Sequence, residues 1–383
     1  MSERELLVGI GMARYLASES THFLALDLPA GHPGQHGALQ LALGLQGEVI
    51  VSAEPRVGLL HRSTEKLFEA RDYRQLMMLA NRHDWLSSFA SELAIALVLE
   101  ASLGITPPER ATWSRMLLAE LNRASAILLL IGTALPRVPA ALQLREQAVA
   151  LQEQATGNRI HPMVNRIGGL SLGLSRTWLG SLDAWRQACL AELDRIRERV
   201  DEGTAPLKGV ATLDRQTAIR YAASGPVARA SGLTYDVRLD APYLHYGRVQ
   251  PQASPLEQGL PGSHGGDVHG RYQVMLDDLH GALSIMPFAA AALDDLGDAP
   301  IDVPLPKVVR APEGLFHGEV EGPLGVIGVL LASAGDRAPH RLKLRTPSFG
   351  NVQAMASALV GVRLEDLASA VMSFFVMSGD IDR

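Results

Sequence analysis

Cysteine is almost missing: Cys189 is the only one in 383 residues. That excludes a disulfide scaffold and leaves no Cys pair for a structural zinc, and the usage suits a reducing compartment. Aromatic residues are scarce too, at 5%, while Ala, Leu and Gly are plentiful, which points to helices packed through small and aliphatic side chains. Neither sign of charge dominates: 35 basic against 41 acidic residues, net −6, with no basic block, so nucleic-acid binding has no electrostatic basis. The start, "MSERELLVGIGMARYLASES", carries charge where a signal peptide needs an apolar centre. The strongest apolar run near a helix, "AILLLIGTAL" (126–135), is about half the ~20 residues that span a bilayer, so the chain is expected not to cross a membrane itself. Nucleotide and hydrolase signatures are missing as well. "GIGMAR" at Gly9 has two of three fingerprint glycines without the strand–turn–helix context, and "GPLGVIG" at Gly322 has the wrong spacing. There is neither G-x-x-x-x-G-K-[ST] nor G-x-S-x-G.

What is present is a folded chain, 47% hydrophobic and 20% charged, and too long for one simple core. Residues 23–60 read as extended, with "ALQLALGLQGEVIVSAEP" forming a hairpin around Gln46-Gly47-Glu48. Helical periodicity begins near Leu76. "DWLSSFASELAIALVLEASLG" stops at Gly104, and "TPPERATWSRMLLAELNRASAILLLIGTAL" follows with Thr106 as a cap and prolines in the first turn. Further helices are expected over 140–155, over 175–202 with a stop at Gly203, and over 269–296. From Ala222 to Asp267 the chain is rich in turn formers and reads as irregular. The tail reads as a hairpin around Ala334-Gly335-Asp336, then two short helices before "SGDIDR". The expected fold is α+β and mainly helical: a β-rich region over 1–62, a helical bundle over 63–300 and an α+β region over 301–383. No internal repeat occurs.

Four polar stretches are candidates for chemistry. "GHPGQHG" holds His32 and His36 four residues apart, but Pro33, Gly34 and Gly37 make a helix there improbable, and no glutamate follows as in zinc proteases. A tight turn carrying a poised imidazole fits better than a metal site. "LLHRSTEKLFEARDYRQ" packs His61, Arg62, Glu65, Lys66, Glu69 and Arg71 together. "NRHDWLSSFASE" sets Arg82, His83, Asp84 and Trp85 before an apolar helix, and "GNRIHPMVNRIGG" sets Arg159, His161 and Arg166 around a proline. Each alone is compatible with helix-surface ion pairs, and Asp84 with a helix N-cap. Together they imply a polar seam among apolar helices.

These blocks in this order carry a resemblance. "HPGQHGALQL", "VGLLHRSTEKL", "DYRQ", "NRHDWLSSF", "ITPPERATWSRMLLAELNR", "TGNRIHPMVNRIGG", "SGPVARASGLTYDVR", "HRLKLRTPSF" and "SGDIDR" span roughly 23–383, and the chain resembles the D-type subunits of proton-pumping NADH:quinone oxidoreductase, respiratory complex I. The resemblance implies a peripheral-arm subunit on the cytoplasmic side of the cell membrane, forming a quinone cavity with a B-type iron–sulfur subunit. The further partners it implies are the C-type and membrane-arm subunits. NADH, FMN and iron–sulfur clusters would sit in partner subunits, with quinone the substrate at this one. His36 would hydrogen-bond the quinone headgroup and supply a proton, beside His32; Trp85 would form the opposite wall, and Asp84 would cap the helix or orient the site. Arg82, Glu65, Lys66 and His161 would support it. The family is also similar to the large subunit of nickel–iron hydrogenases, whose metals need four cysteines, which this chain cannot supply.

Departures from the family are specific. Trp85 stands where the family's "R-x-D-Y" segment has a tyrosine, and an indole N–H donates a hydrogen bond without giving up its proton. Arg137 stands near the position of a family aspartate, Ile127 near that of a histidine, and "GPLGVIGVLLASAG" lacks the acidic residue and tyrosines of the family hairpin. These losses leave a rival expectation, a non-catalytic structural paralogue with a degenerate quinone site. A stand-alone soluble enzyme would need cofactor motifs that the sequence lacks.

Overall fold

The computed structural model describes residues 4–15, 22–29, 31–135, 137–249 and 264–383. It is α+β and mainly helical, as expected. The first layer is a sheet of β1 (Arg4–Gly11), β2 (Phe23–Leu26), β3 (Ala38–Gln46) and β4 (Val49–Arg56), ordered β2-β1-β3-β4. The expected hairpin is β3–β4: Gln46 pairs with Val49 across a two-residue turn whose Gly47 has φ 68°. The strand β1 lies before the expected extended region, yet it runs along β3 from Arg4↔Leu45 to Gly11↔Ala38. Leu7, Val8 and Ile10 are all buried, so β1 is covered on both faces and shows no alternation to read.

The helical layer begins with α1 (Thr64–Glu69) and α2 (Leu76–Ala80), followed by α3 (Ser88–Leu103), which ends on Gly104 in the left-handed region, φ 64°. α4 (Glu109–Ala134) starts after Pro108, which itself holds the N-cap position; Thr106 does not cap it, and both prolines precede the first turn. By length and composition α4 passes for a membrane span, yet 94% of that apolar window is buried inside the chain, so it is the hub of a bundle. α5 (Pro139–Thr156) and α6 (Arg176–Thr204) pack beside it. The buried stripe of α6 is Trp178, Leu182, Trp185, Cys189, Leu193, Ile196 and Val200, at steps of three and four residues. The indole nitrogens of Trp178 and Trp185 donate to the Leu151 and Leu144 carbonyls of α5 at 2.8 and 2.9 Å. α6 ends at Thr204, one residue past the expected stop at Gly203, where Thr204 Oγ1 bonds back to the Val200 carbonyl at 2.7 Å. Burial holds the Cys189 thiol up to about 12, so it stays protonated.

Two two-residue strands, β5 (Asn165–Arg166) and β6 (Gly169–Leu170), sit between α5 and α6. After α7 (Arg215–Arg220), the stretch expected to be irregular holds three short helices among the described residues, α8 (Gly225–Ala230), α9 (Val237–Asp240) and α10 (Tyr246–Val249); the "PQASPLEQGLPG" part of that expectation lies outside the described residues. Asp214 and Asp236 cap α7 and α9 through side-chain oxygens, which is how turn formers begin helices too short to show a period. The helix α11 (Val268–Leu296) then packs along α4. The C-terminal part is a meander of β7 (Gly314–Gly322), β8 (Gly325–Ser333) and β9 (Arg341–Arg345) laid against α3. The connection around 334–336 joins β8 to β9, and a second turn at Pro323-Leu324 joins β7 to β8. Three helices end the chain: α12 (Pro347–Ala358), α13 (Leu367–Met372) and α14 (Ser378–Ile381). This last part closes on the first sheet, since Ile50 of β4 exchanges backbone hydrogen bonds with Gly361 and Val362.

Candidate functional site

The "HPGQHG" turn is a short 3-10 helix, Pro33–His36, at the end of the first sheet. His32 caps it: its Nδ1 accepts from the Gly34 amide at 3.1 Å, and the ring is buried. Burial, with His36 nearby, pushes the His32 imidazole down to about 4, so it is neutral near pH 7. His36, four residues on, is exposed on the other side of the turn. Gly37 is needed for proximity rather than for handedness. Its φ is −101°, but a Cβ there would lie 2.2 Å from Ser378 Oγ of the C-terminal tail.

The His36 and Trp85 rings meet edge-on, centroids 6.4 Å apart with an interplanar angle of 74°. Both line a cavity of about 270 Å³ whose walls include Arg62, Arg82, His83, Asp382 and Arg383. The turn from the first sheet supplies one wall and the segment before α3 the other. The tail closes the end: Asp382 accepts from the Gly58 and Leu60 amides at 2.7 and 2.8 Å, while its carbonyl lies 2.8 Å from His61 Nδ1. Gly379 lets the tail run against the 82–85 segment, where a Cβ would sit 2.3 Å from the His83 carbonyl oxygen.

Asp84 is fully buried and does not line the cavity. Its Oδ1 accepts from the Leu86 and Ser87 amides, both at 3.0 Å. It therefore caps the turn preceding α3, not α3 itself, and that turn holds Trp85 at the wall. Glu65 also works at a distance. It accepts from the Leu344 amide at 2.9 Å and from Arg383 Nε at 3.3 Å, tying β9 and the tail to α1. Lys66 points to solvent and pairs with Glu69 at 2.5 Å; it is not brought to the cavity. His161 lies half-buried outside the cavity lining, its pKa lowered by burial and by Arg82. Of the positions at which the chain departs from the family pattern, Ile127 is buried in α4 and Arg137 is exposed in the α4–α5 connection. So of the candidates named from the sequence, the structure gathers His36, Trp85 and Arg82 at one cavity; His32, Asp84 and Glu65 stand behind its walls.

The polar seam has a structural basis in two buried glutamates of α3. Glu92 accepts from Asn81 Nδ2 and from the Met163 and Asn165 amides, at 2.5, 2.7 and 3.3 Å. Glu100 receives both Arg115 Nη atoms at 2.8 and 2.7 Å and the Gly168 amide at 2.7 Å. The "NRIHPMVNRIGG" block is thus held to α3 and α4 by charge-assisted bonds, which are stronger than neutral ones. Sequence reasoning missed Asp380 and the roles of His83 and Asp382. The "SGDIDR" end was noticeable as an acidic pair, but nothing local says that it returns to residues 58–61.

Similarity to known proteins agrees with this architecture. Residues 133–308 and 304–383 match the family described as "Respiratory-chain NADH dehydrogenase, 49 Kd subunit". The second D-type NADH-quinone oxidoreductase subunit of Salinispora arenicola is 43% identical over 391 aligned residues, covering 99% of this chain and 98% of that protein. The first D-type subunit of Streptomyces coelicolor is 40% identical, covering 99% of each chain. The D-type subunit of Dehalococcoides mccartyi is 33% identical over 95% of this chain and 99% of its own. This chain belongs to the 49-kDa, or D-type, subunit family of respiratory-chain NADH dehydrogenase, and is a subunit of an oxidoreductase complex.

Proposed function

We propose that this chain forms, with a B-type iron–sulfur subunit, the cavity in which quinone is reduced at the expense of NADH, coupled to proton translocation. In this reading it is a peripheral subunit on the cytoplasmic side of the cell membrane, and it also contacts C-type and membrane-arm subunits. NADH, FMN and iron–sulfur clusters belong to its partners. The observation that carries the reading is that His36 and Trp85, in edge-on contact, both line one small cavity. About 270 Å³ is near the lower end of small-molecule sites, ~300–1,000 Å³, and suits a single headgroup ring whose tail leaves through the open side. His36 donates to one quinone oxygen; an imidazole titrates near neutrality and can follow the hydrogen bond with its proton. Trp85 offers an aromatic wall and one N–H. The rival, a paralogue that docks without reducing quinone, draws on the exposure of Arg137 and the apolar burial of Ile127.

The test is NADH:quinone reduction in membranes where this chain is the only D-type subunit, with NADH:ferricyanide activity as the assembly control. His36→Ala removes a charge-assisted bond worth roughly 1.5–3 kcal/mol, so quinone turnover falls about ten- to a hundred-fold while ferricyanide activity persists. Unchanged quinone turnover in an assembled His36→Ala complex contradicts the site. An inactive parent complex that gains activity only with another D-type copy favours the paralogue.

A further inference from the structure

A second, larger concavity adjoins the headgroup cavity. This groove of about 880 Å³ runs between α2, the 156–171 stretch and the 301–305 segment. Met77, Ile167 and Leu170 are buried beneath it, and Met78 stands 56% exposed at its surface. Arg82, a wall of the headgroup cavity, donates to Met163 Sδ of the groove at 3.7 Å. Met163 itself is held in the left-handed region, φ 46°, a strained conformation for a residue with a Cβ. The buried Glu92 fixes it there by accepting its amide at 2.7 Å. Strain of this kind persists where the surroundings over-determine it, and it gathers at ligand clamps and contact sites.

The chain carries net −6, yet the groove and the hollow beside it are cationic. Arg74, Arg166 and Asp302 line the groove, while Lys307, Arg337 and Asp72 join Arg74 in the hollow. Asp72 is already engaged, its Oδ1 accepting from the Arg74 and Gln75 amides. Arg74 Nη2 donates to the Pro306 carbonyl, and Arg166 Nη1 to the Met163 and Asn165 carbonyls, both at 2.8 Å. Among the described residues, neither guanidinium is paired with a carboxylate. The backbone therefore holds each fork in place and leaves its remaining N–H groups open. A guanidinium fixed in this way matches the planar geometry of a carboxylate.

We propose that this groove docks a segment of a partner subunit that carries a carboxylate among aliphatic side chains. The carboxylate takes the open forks of Arg74 and Arg166, and the aliphatic groups cover Met78 and the Met163 thioether. Methionine suits the task, because its flexible, polarisable side chain adapts to an irregular partner surface. Charge complementarity selects the occupant. A membrane surface is met by clusters of mobile basic side chains, whereas these arginines are fixed by carbonyls at a concavity and select one acidic group in a defined place. The proposal deepens the partner part of the reading above and does not depend on quinone chemistry at His36. Through the Arg82–Met163 contact, the docked segment lies next to the headgroup cavity and keeps Arg82 at its wall.

The experiment uses the assembled complex in membranes. With a benzophenone amino acid in place of Met78, irradiation should join this chain to one partner subunit, at a peptide that holds an aspartate or glutamate, as read by mass spectrometry of the digest. Arg74→Glu together with Arg166→Glu turns attraction into like-charge repulsion, so intact complex on a native gel should fall about ten-fold. Arg74→Lys with Arg166→Lys should lose less, and changing the crosslinked carboxylate to lysine should restore the reversed pair. A crosslink to lipid, to a second copy of this chain or to a partner peptide without a carboxylate overturns the proposal. So does an assembled complex that gives no crosslink, or a charge reversal that leaves the yield unchanged. Should the doubly reversed chain not accumulate, the crosslink from the otherwise wild-type complex decides. If this chain copurifies with no partner, the assembly reading itself fails; if partners copurify and none is joined at position 78, only the groove assignment does.

Discussion

At position 32 an imidazole serves structure, and at position 36 the same side chain is free for chemistry. Burial of His32 has a consequence for stability. Its pKa falls from 6.5 to about 4, so the unfolded chain binds the extra proton more readily between those values. The stabilisation is fully present above about pH 6.5 and is lost as pH falls toward about 4, by on the order of 3 kcal/mol. His32→Asn keeps an acceptor for the Gly34 amide and should flatten this acid limb. Burial lowers His83 to about 4 and raises Asp380 to about 7, so the two act in opposite senses over the same window. The difference between variant and wild type, read from urea midpoints at about pH 7.5 and about pH 4.5, therefore isolates His32. A variant with an unchanged acid limb contradicts the assignment. Trp85 is the other residue with a definite expectation. Trp85→Ala should raise the quinone KM about five-fold, from aromatic contact of order 1 kcal/mol, whereas Trp85→Tyr should be tolerated or increase kcat. A higher kcat for the alanine variant than for the tyrosine variant would sink the idea that an aromatic wall is needed.

Among the elements, the C-terminal tail decides whether there is a cavity at all. The contacts that hold it include Asp382 on the 58–60 backbone, Thr346 and the Ser348 amide on Asp380, Glu65 on Arg383, and the Arg383 guanidinium 5.1 Å from the Phe349 ring centre. Removing the buried Asp382 carboxylate loses its bonds from the Gly58 and Leu60 amides; a hydrogen bond to a charged group is worth roughly 1.5–3 kcal/mol, less here because Gly58 is exposed to water. Asp382→Ala should therefore free the tail, exposing it to carboxypeptidase in the assembled complex and lowering quinone reduction together with the cleavage. A tail that stays protease-resistant in the variant contradicts its dependence on this anchor. The loop over 156–170 depends in the same way on Glu92 and Glu100, which explains why α3 carries carboxylates on faces that are otherwise apolar.

For the molecule as a whole, the surface is not finished. An open groove of about 880 Å³ is lined by Met77, Met78, Met163, Ile167, Leu170 and Leu305, with Arg74 and Arg166 at its edge. Of these, Met77, Ile167 and Leu170 are buried, while Met78 is 56% exposed and is the apolar group that a partner would cover. Expressed by itself the chain should self-associate, and co-expression with the matching B- and C-type subunits should keep it in solution. A stable, monodisperse monomer from solo expression, by light scattering, counts against the assembly reading.

Periodicity in the sequence determined the long elements: the β3–β4 hairpin, the helices α3 to α6 and α11, and even the buried stripe that hides Cys189. The resemblance, not periodicity, singled out His36 and Trp85 as a pair; the residues alone read as a turn with a poised imidazole and a polar block before an apolar helix. The tertiary structure decided the rest. β1 was illegible because a strand buried on both faces loses its alternation, and α7 to α10 were illegible because four- to six-residue helices show no period. Which histidine is buried, which carboxylate caps and which stays unpaired depend on contacts between positions as far apart as 58 and 382, or 83 and 380. Those contacts form only when the tail packs against the first sheet and the segment before α3, and local sequence carries no energy term for that packing.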